Sequence, residues 1–206
     1  MKVSKGEIYE RVFVGEPVNL HLIQEAGSRV KIHLINFSSA MNSITVEQTG
    51  EGCITEIYAL AFLHEEESVM TETHVKHAVG GGVSNQLVKF VLDDRARGRF
   101  VGDLKIVQDA QHTEAHQTNR NLLLSEEAEM RTQPQLEIYA DDVQATHGAS
   151  TGQLEETALF YMQQRGIDKK KARQLLVNAF MKEVLETISD EGLRKQLLHA
   201  IDDEVE

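Results

Sequence analysis

The stretch Gln117–Gly152 reads QTNRNLLLSEEAEMRTQPQLEIYADDVQATHGASTG. It holds Pro134, the only proline besides Pro17, several short alternating segments, and a single histidine, His147, set between small residues. Before it, apolar residues recur with the period of two that sends alternate side chains to opposite faces of a strand. After it the period becomes 3.6, that of a helix. His147 stands beside this change of architecture, and the junction is expected to carry the function.

Toward the N-terminus, Ser28–Asn36 (SRVKIHLIN) sets the pattern. Val30, Ile32 and Leu34 fall on one face, Lys31 and His33 on the other, as in a strand with one face buried. Ile8–Val14, Val18–Gln24, Ser43–Gln48, Cys53–Leu63, Ser68–Val79, Gln86–Leu92, Phe100–Val107, Asn121–Leu124 and Gln135–Tyr139 read the same way. So many short strands fit a sandwich, a barrel or a solenoid. Asn-Gly and Asp-Gly pairs, the strongest two-residue hairpin signals, are absent from the sequence, which weakens the antiparallel options. Polar corner clusters recur roughly every twenty residues, which favours a parallel β-helix whose coils stack on one another, although no strict repeat is visible.

The all-β core is expected over residues 1–152 and a small helical domain over 153–206. Leu154, Ala158, Leu159 and Met162 mark a first helix, with Gly166 placed as its C′ residue. Asp168 is an N-cap candidate for a second, whose stripe is Ala172, Leu175, Leu176, Ala179, Phe180, Val184, Leu185 and Ile188. That stripe either covers the end of the β-core or doubles as a docking ridge. Ser189-Asp190-Glu191 opens a third helix, and the acidic tail Asp202–Glu206 is expected to fray.

A formal net charge of -12 repels phosphate backbones and anionic lipid, so neither nucleic acid nor a membrane surface is an expected partner. Cys53 is the only cysteine, so no internal disulfide forms, and a reducing, cytoplasmic compartment is the simplest expectation.

Four segments together resemble one family. QTNRNLLLSEEAE (Gln117–Glu129), P-LEIYADDV (Pro134, Leu136–Val143), HGA (His147–Ala149) and GQLEETALFY--QRGI (Gly152–Tyr161, Gln164–Ile167) are similar to the SufB/SufD family of iron–sulfur cluster assembly scaffolds. Thr146-His147-Gly148 sides with its SufD branch. The resemblance implies a right-handed parallel β-helix followed by a C-terminal helical domain. It also implies a non-catalytic scaffold that pairs with a SufB-like subunit and docks a SufC-like ATPase. Isolated, such a chain is expected to form a homodimer through the same edge. Family members carry an N-terminal helical region, whereas this sequence opens almost directly on strands, so a truncated form is expected. Many also have a cysteine two residues before the histidine, where this chain has Ala145.

The resemblance makes His147 one ligand of a nascent Fe–S cluster shared across the SufB-like interface; taken alone, a lone histidine between small residues reads as structural. Lys170, Arg173, Leu176 and Phe180 are the candidates for ATPase docking, in a locally basic stretch of an acidic chain. Cys53, inside a buried apolar run, reads as a small hydrophobe rather than a cluster thiolate. His74/His77 and His112/His116 have weak zinc spacing and read as solvated coil surface. Asp141-Asp142 and Glu126-Glu127 read as solvated acids. Gly80-Gly81-Gly82 lacks the Lys-Ser/Thr of a phosphate loop. The rival function is a β-helix enzyme of the polysaccharide-lyase type, with Asp93, Asp94, Arg95 and Arg97 as its calcium and substrate contacts.

Overall fold

A computed structural model of the chain describes residues 1–204. The strands are β1 (Lys2–Val3), β2 (Ile8–Val14), β3 (Val18–Gln24), β4 (Arg29–Asn36), β5 (Ala40–Gln48) and β6 (Ile54–Leu63). They continue as β7 (Ser68–His77), β8 (Val83–Leu92), β9 (Arg97–Ile106), β10 (Thr113–Leu123), β11 (Glu129–Ile138) and β12 (Val143–Gly152). Three helices follow: α1 (Glu156–Gln164), α2 (Lys169–Leu185) and α3 (Glu191–Glu204). The fraying expected of the acidic tail falls, at Val205 and Glu206, outside the described residues.

The chain alternates between two sheets. Odd-numbered strands build sheet A and even-numbered strands sheet B, and neighbours in each sheet pair in parallel. This is the parallel β-helix expected from the sequence. The coil is not a fixed repeat, however. Residues in register one coil apart are separated by 21 positions at Lys2 and Ile23, by 31 at Val88 and Asn119, and by 32 at Lys105 and Glu137. That drift hides the repeat from inspection of the sequence.

Between the sheets lies a closed apolar core, including Leu22, Ile32, Ile44, Ile57, Val75, Phe90 and Phe100. Each member is the inward residue of an alternating strand. Val69, Thr71, Thr73 and Val75 of β7 all face in, as their period of two requires. Corners stack backbone on backbone: Gly6 donates to the carbonyl of Ala26, and Gly27 to that of Glu51. At Gly50 a Cβ would lie 2.0 Å from the Ala26 nitrogen, so this corner closes only on a glycine at that position.

Helices α2 and α3 lie on the outer face of sheet B rather than over the end of the coil. Ile35, Leu60, Phe62, Val91 and Leu122 point outward from that sheet and are buried against Val177, Met181, Val184, Leu185, Ile188, Leu197 and Ile201. The C-terminal halves of β6 and β8 are therefore covered on both faces, and apart from Lys89 they read as apolar runs, ALAFL and FVL. The buried arc of α2 is rotated from the expected one. Val177 and Met181 enter the core, whereas Leu175 and Ala179 turn outward and line a groove of about 410 Å³ with Lys182 and Leu198. The caps are as read. Asp168 accepts from the Lys171 amide, and Gly166, at φ +85°, ends α1 with its amide on the Gln163 carbonyl.

Candidate functional site

The solenoid ends on two open strands. β11 has a neighbour only in β9, and β12 only in β10, so each leaves one row of backbone groups free to pair. Pro134 sits in β11, the edge position a parallel sheet tolerates for proline. β12 was not distinguishable as a strand from its sequence, because ATHGASTG lacks the β-branched run that marks one. Its register with β10 makes it one: Thr113 lies beside Val143, Gln117 beside His147 and Leu122 beside Gly152.

That register fixes where His147 sits. Paired residues of adjacent parallel strands share a face, so Ile57, Gln86, Gln117 and His147 form one row along the inside of sheet B. Ile57, Gln86 and Gln117 are buried, while His147 is exposed because no further coil covers it. Below it the interior is polar: the amide groups of Gln117 and Gln86 make no hydrogen bond to protein. Gly102 faces Gln117 from sheet A, where a Cβ would come within 2.4 Å of that amide. The neighbours of His147 take other directions. Thr146 is on the outer face, hydrogen-bonded to His116 at 2.8 Å, and Ala145 packs inward on a small cluster with Leu104, Ile106 and Ala115. His147 is thus a free imidazole at the open mouth of the coil, presented by a rigid ladder.

The remaining candidates separate cleanly. His74 is outside, 3.5 Å from Asp103, whereas His77 is fully buried inside with its Nε2 2.8 Å from Ser84 Oγ. Burial pushes the His77 imidazole down to about 4, so it is neutral in the fold. The expectation that His77 belongs to the solvated surface is therefore corrected: three residues along a strand reverse the face. His112 is exposed and engages Asp142 at 2.9 Å. Among the described residues no group of three or more His, Cys, Asp or Glu is placed to hold a metal. Cys53 is buried, its thiol directed to the carbonyls of Glu25 and Gly50 at 3.1 Å each.

Glu126 and Glu127 line an open corner cavity of about 800 Å³ with Glu65, Glu66, Asp94 and Arg95. The polar groups there serve the turns. Asp94 accepts from the Glu65 amide, Arg95 pairs with Glu66 at 2.8 Å, and Ser125 donates to the Asp94 carbonyl. Asp93 binds Arg173 of α2 at 2.9 Å. Asp93, Asp94 and Arg95, named for a lyase-type site, are thus committed to corner and helix contacts.

On α2, Lys170 is exposed and Leu176 half-buried. Arg173 is held by Asp93 and by the Leu124 carbonyl at 3.1 Å. Phe180 packs beneath the ammonium of Lys89, 4.2 Å from its ring centre. Lys89 was not anticipated. It stands on the outer face of β8, is 2% exposed, and is bonded to Glu183 and the Phe180 carbonyl. Burial lowers its pKa from the ordinary lysine value against the opposing pull of Glu183. α1 has no buried residue, and Phe160 and Tyr161 are 62% and 57% exposed.

The fold and its open end define a class: a two-sheet parallel β-helix, flanked by helices on one sheet, whose last coil exposes a histidine. Residues 16–180 match the family described as SUF system FeS cluster assembly, SufBD core domain, and the chain belongs to that family. It is 36% identical over 183 residues to the iron–sulfur cluster assembly protein SufD of Escherichia coli, covering 89% of this chain and 43% of the relative. It is 35% identical over 184 residues to an iron–sulfur cluster assembly SufBD family protein of Synechocystis, covering 87% and 40%. To SufD of Bacillus subtilis it is 31% identical over 172 residues, covering 84% and 39%. The chain thus spans less than half the length of these relatives. No helix among the described residues is long and apolar enough to cross a membrane.

Proposed function

We propose that this chain is a non-catalytic scaffold subunit of iron–sulfur cluster assembly, whose open coil end pairs with a SufB-like subunit. His147 supplies one ligand to a nascent cluster held between the two, and the cluster is cargo passed on to acceptor proteins. The observation that carries this reading is His147 itself: it extends an interior row, yet lies exposed on a strand with one unpaired edge. An imidazole at such an edge completes a ligand set only when a partner chain brings the rest. Neutral imidazole and thiolate together are ligands that iron accepts.

The helical part docks a SufC-like ATPase. Lys170 is exposed at the start of α2, Leu176 is half-buried, Arg173 and Phe180 are partly exposed, and the exposed Phe160 and Tyr161 of α1 add the aromatic surface typical of interface anchors. In isolation the same open edge pairs with a second copy, giving a homodimer.

The test is the iron and sulfide content of the complex co-purified with SufB-like and SufC-like subunits. His147→Ala is expected to leave the complex assembled and its cluster content several-fold lower. Unchanged cluster content in the intact complex would remove His147 from the ligand set.

A further inference from the structure

Among the described residues no helix packs on the outer face of sheet A, and one end of it is unlike the rest. The register sets Met41, Met70, Arg99 and Arg131 in a single row across β5, β7, β9 and β11. The next row carries Ser68, Arg97 and Glu129. Together they border a groove of about 560 Å³. Met41 is 68% exposed, and Arg97, Arg99 and Arg131 are all open to solvent.

Two features mark the groove as more than solvated sheet. Arg99 lies directly beside Arg131, and like charges in register on neighbouring strands repel. Only Arg131 has an acidic partner, Glu129 at 3.8 Å; Arg97 and Arg99 make no side-chain ion pair among the described residues. Three guanidiniums therefore stand together on a chain of net charge -12 with one carboxylate between them. Beside them, two methionines lie in register at the surface, where a flexible thioether adapts to a partner's apolar side chain. Methionine and arginine are residues enriched in protein interfaces, and arginine clusters recognise acidic motifs bidentately.

We propose that this groove docks an acidic segment of a partner protein, laid across the strands with an aliphatic residue over Met41 and Met70 and carboxylates over Arg99, Arg131 and Arg97. Strands about 4.8 Å apart put Met41 and Arg131 about 14 Å from each other, the span of roughly four extended residues. The two kinds of contact are thus expected within one short segment, apolar at one end and acidic at the other. A bound carboxylate converts the Arg99–Arg131 repulsion into paired, charge-assisted hydrogen bonds. This surface lies on the sheet opposite to the helices and uses neither His147 nor the proposed ATPase face, although Arg131 and Glu129 stand on β11, one of the two open strands.

The test uses the full chain and a fluorescein-labelled peptide of two leucines followed by three glutamates, read by fluorescence anisotropy. The expected result is saturable binding that weakens about tenfold or more in the double variant R99E and R131E, and severalfold in Met41→Ser. All three positions are exposed, so the variants are expected to fold, as circular dichroism checks. Equal binding of a peptide with glutamines in place of glutamates would overturn the proposal. So would a double variant that binds undiminished. Displacement of the peptide by a single-stranded oligonucleotide or by inorganic phosphate, with Met41→Ser binding as well as the parent, would overturn it in favour of a general anion site.

Discussion

Sheets A and B share a pleat, similar strand lengths and a common apolar interior, but their outer faces differ. Sheet B carries Ile35, Leu60, Phe62, Val91 and Leu122 outward and buries them under α2 and α3. Sheet A carries Glu72, His74, Lys76, Arg97, Arg99 and Lys105 outward, and among the described residues no helix covers them. The helices thus sit where the second face of a strand is also apolar. Covering that face traps polar groups that would otherwise be solvated. His33 and Lys89, both outward-pointing, become as buried as the core. His33 stacks on Tyr58 with ring centres 5.0 Å apart and reaches Thr187 at 2.8 Å, while Lys89 meets Glu183. A polar residue on a strand's outer face is therefore surface or core depending on what packs over it.

The largest effect is expected at Lys89 and Glu183. Glu183→Ala leaves a buried ammonium without its carboxylate and is expected to lower unfolding stability by on the order of 3 kcal/mol. The double variant K89M and E183A removes both charges and is expected to recover most of that loss, within about 1 kcal/mol of the parent, by denaturant titration. A double variant no better than the single would show that the pair does not hold the helices to sheet B.

Acid sharpens the contrast. Burial, with the Lys31 charge adding to it, lowers His33 to about 4, and burial alone takes His77 there from 6.5. Between those values the unfolded chain binds more protons than the folded one. Stability is therefore full above pH 6.5 and falls as pH drops toward 4, by up to about 3 kcal/mol for each imidazole. His33→Gln is expected to flatten the slope of stability against pH in that window. An unchanged slope would mean that His33 is solvated and the helices do not seal sheet B.

Capping gives a smaller effect. Asp168→Ala removes the acceptor for the Lys171 amide and is expected to lose about 1 kcal/mol, read by thermal unfolding. Smallest of all, Glu72→Gln on the bare face of sheet A is expected to change stability by less than about 0.5 kcal/mol. A loss approaching that of Glu183→Ala would mean that sheet A is also covered.

Much of the architecture was legible because it rests on local periodicity. SRVKIHLIN declares a strand, and Asp168 and Gly166 declare helix ends, and all three form, but the strand is not one-faced: His33 and Ile35 on its outer side are as buried as Ile32 and Leu34 on its inner side. What depends on pairing between coils was not. β12 hides in ATHGASTG because its strand character comes from the ladder with β10, not from its own side chains. The rotation of α2 follows from the shape of sheet B, since Leu175 and Val177 are equally apolar and only packing chooses between them. Nothing in the strand itself marks Lys89 as buried, because its burial needs the helix that covers it. His147 was singled out from sequence, but its place at the mouth of an interior polar row came only from the register with Gln117 and Gln86.

The most direct test of the central claim is the mass, by light scattering, of the complex formed on co-expression with SufB-like and SufC-like subunits, compared with a variant carrying A149K and T151K on β12. The account predicts a heterocomplex for the parent chain and loss of the SufB-like subunit, with the ATPase retained, when that edge carries the lysines. A variant complex of unchanged mass and composition would contradict pairing through β12 and move the cluster site away from His147.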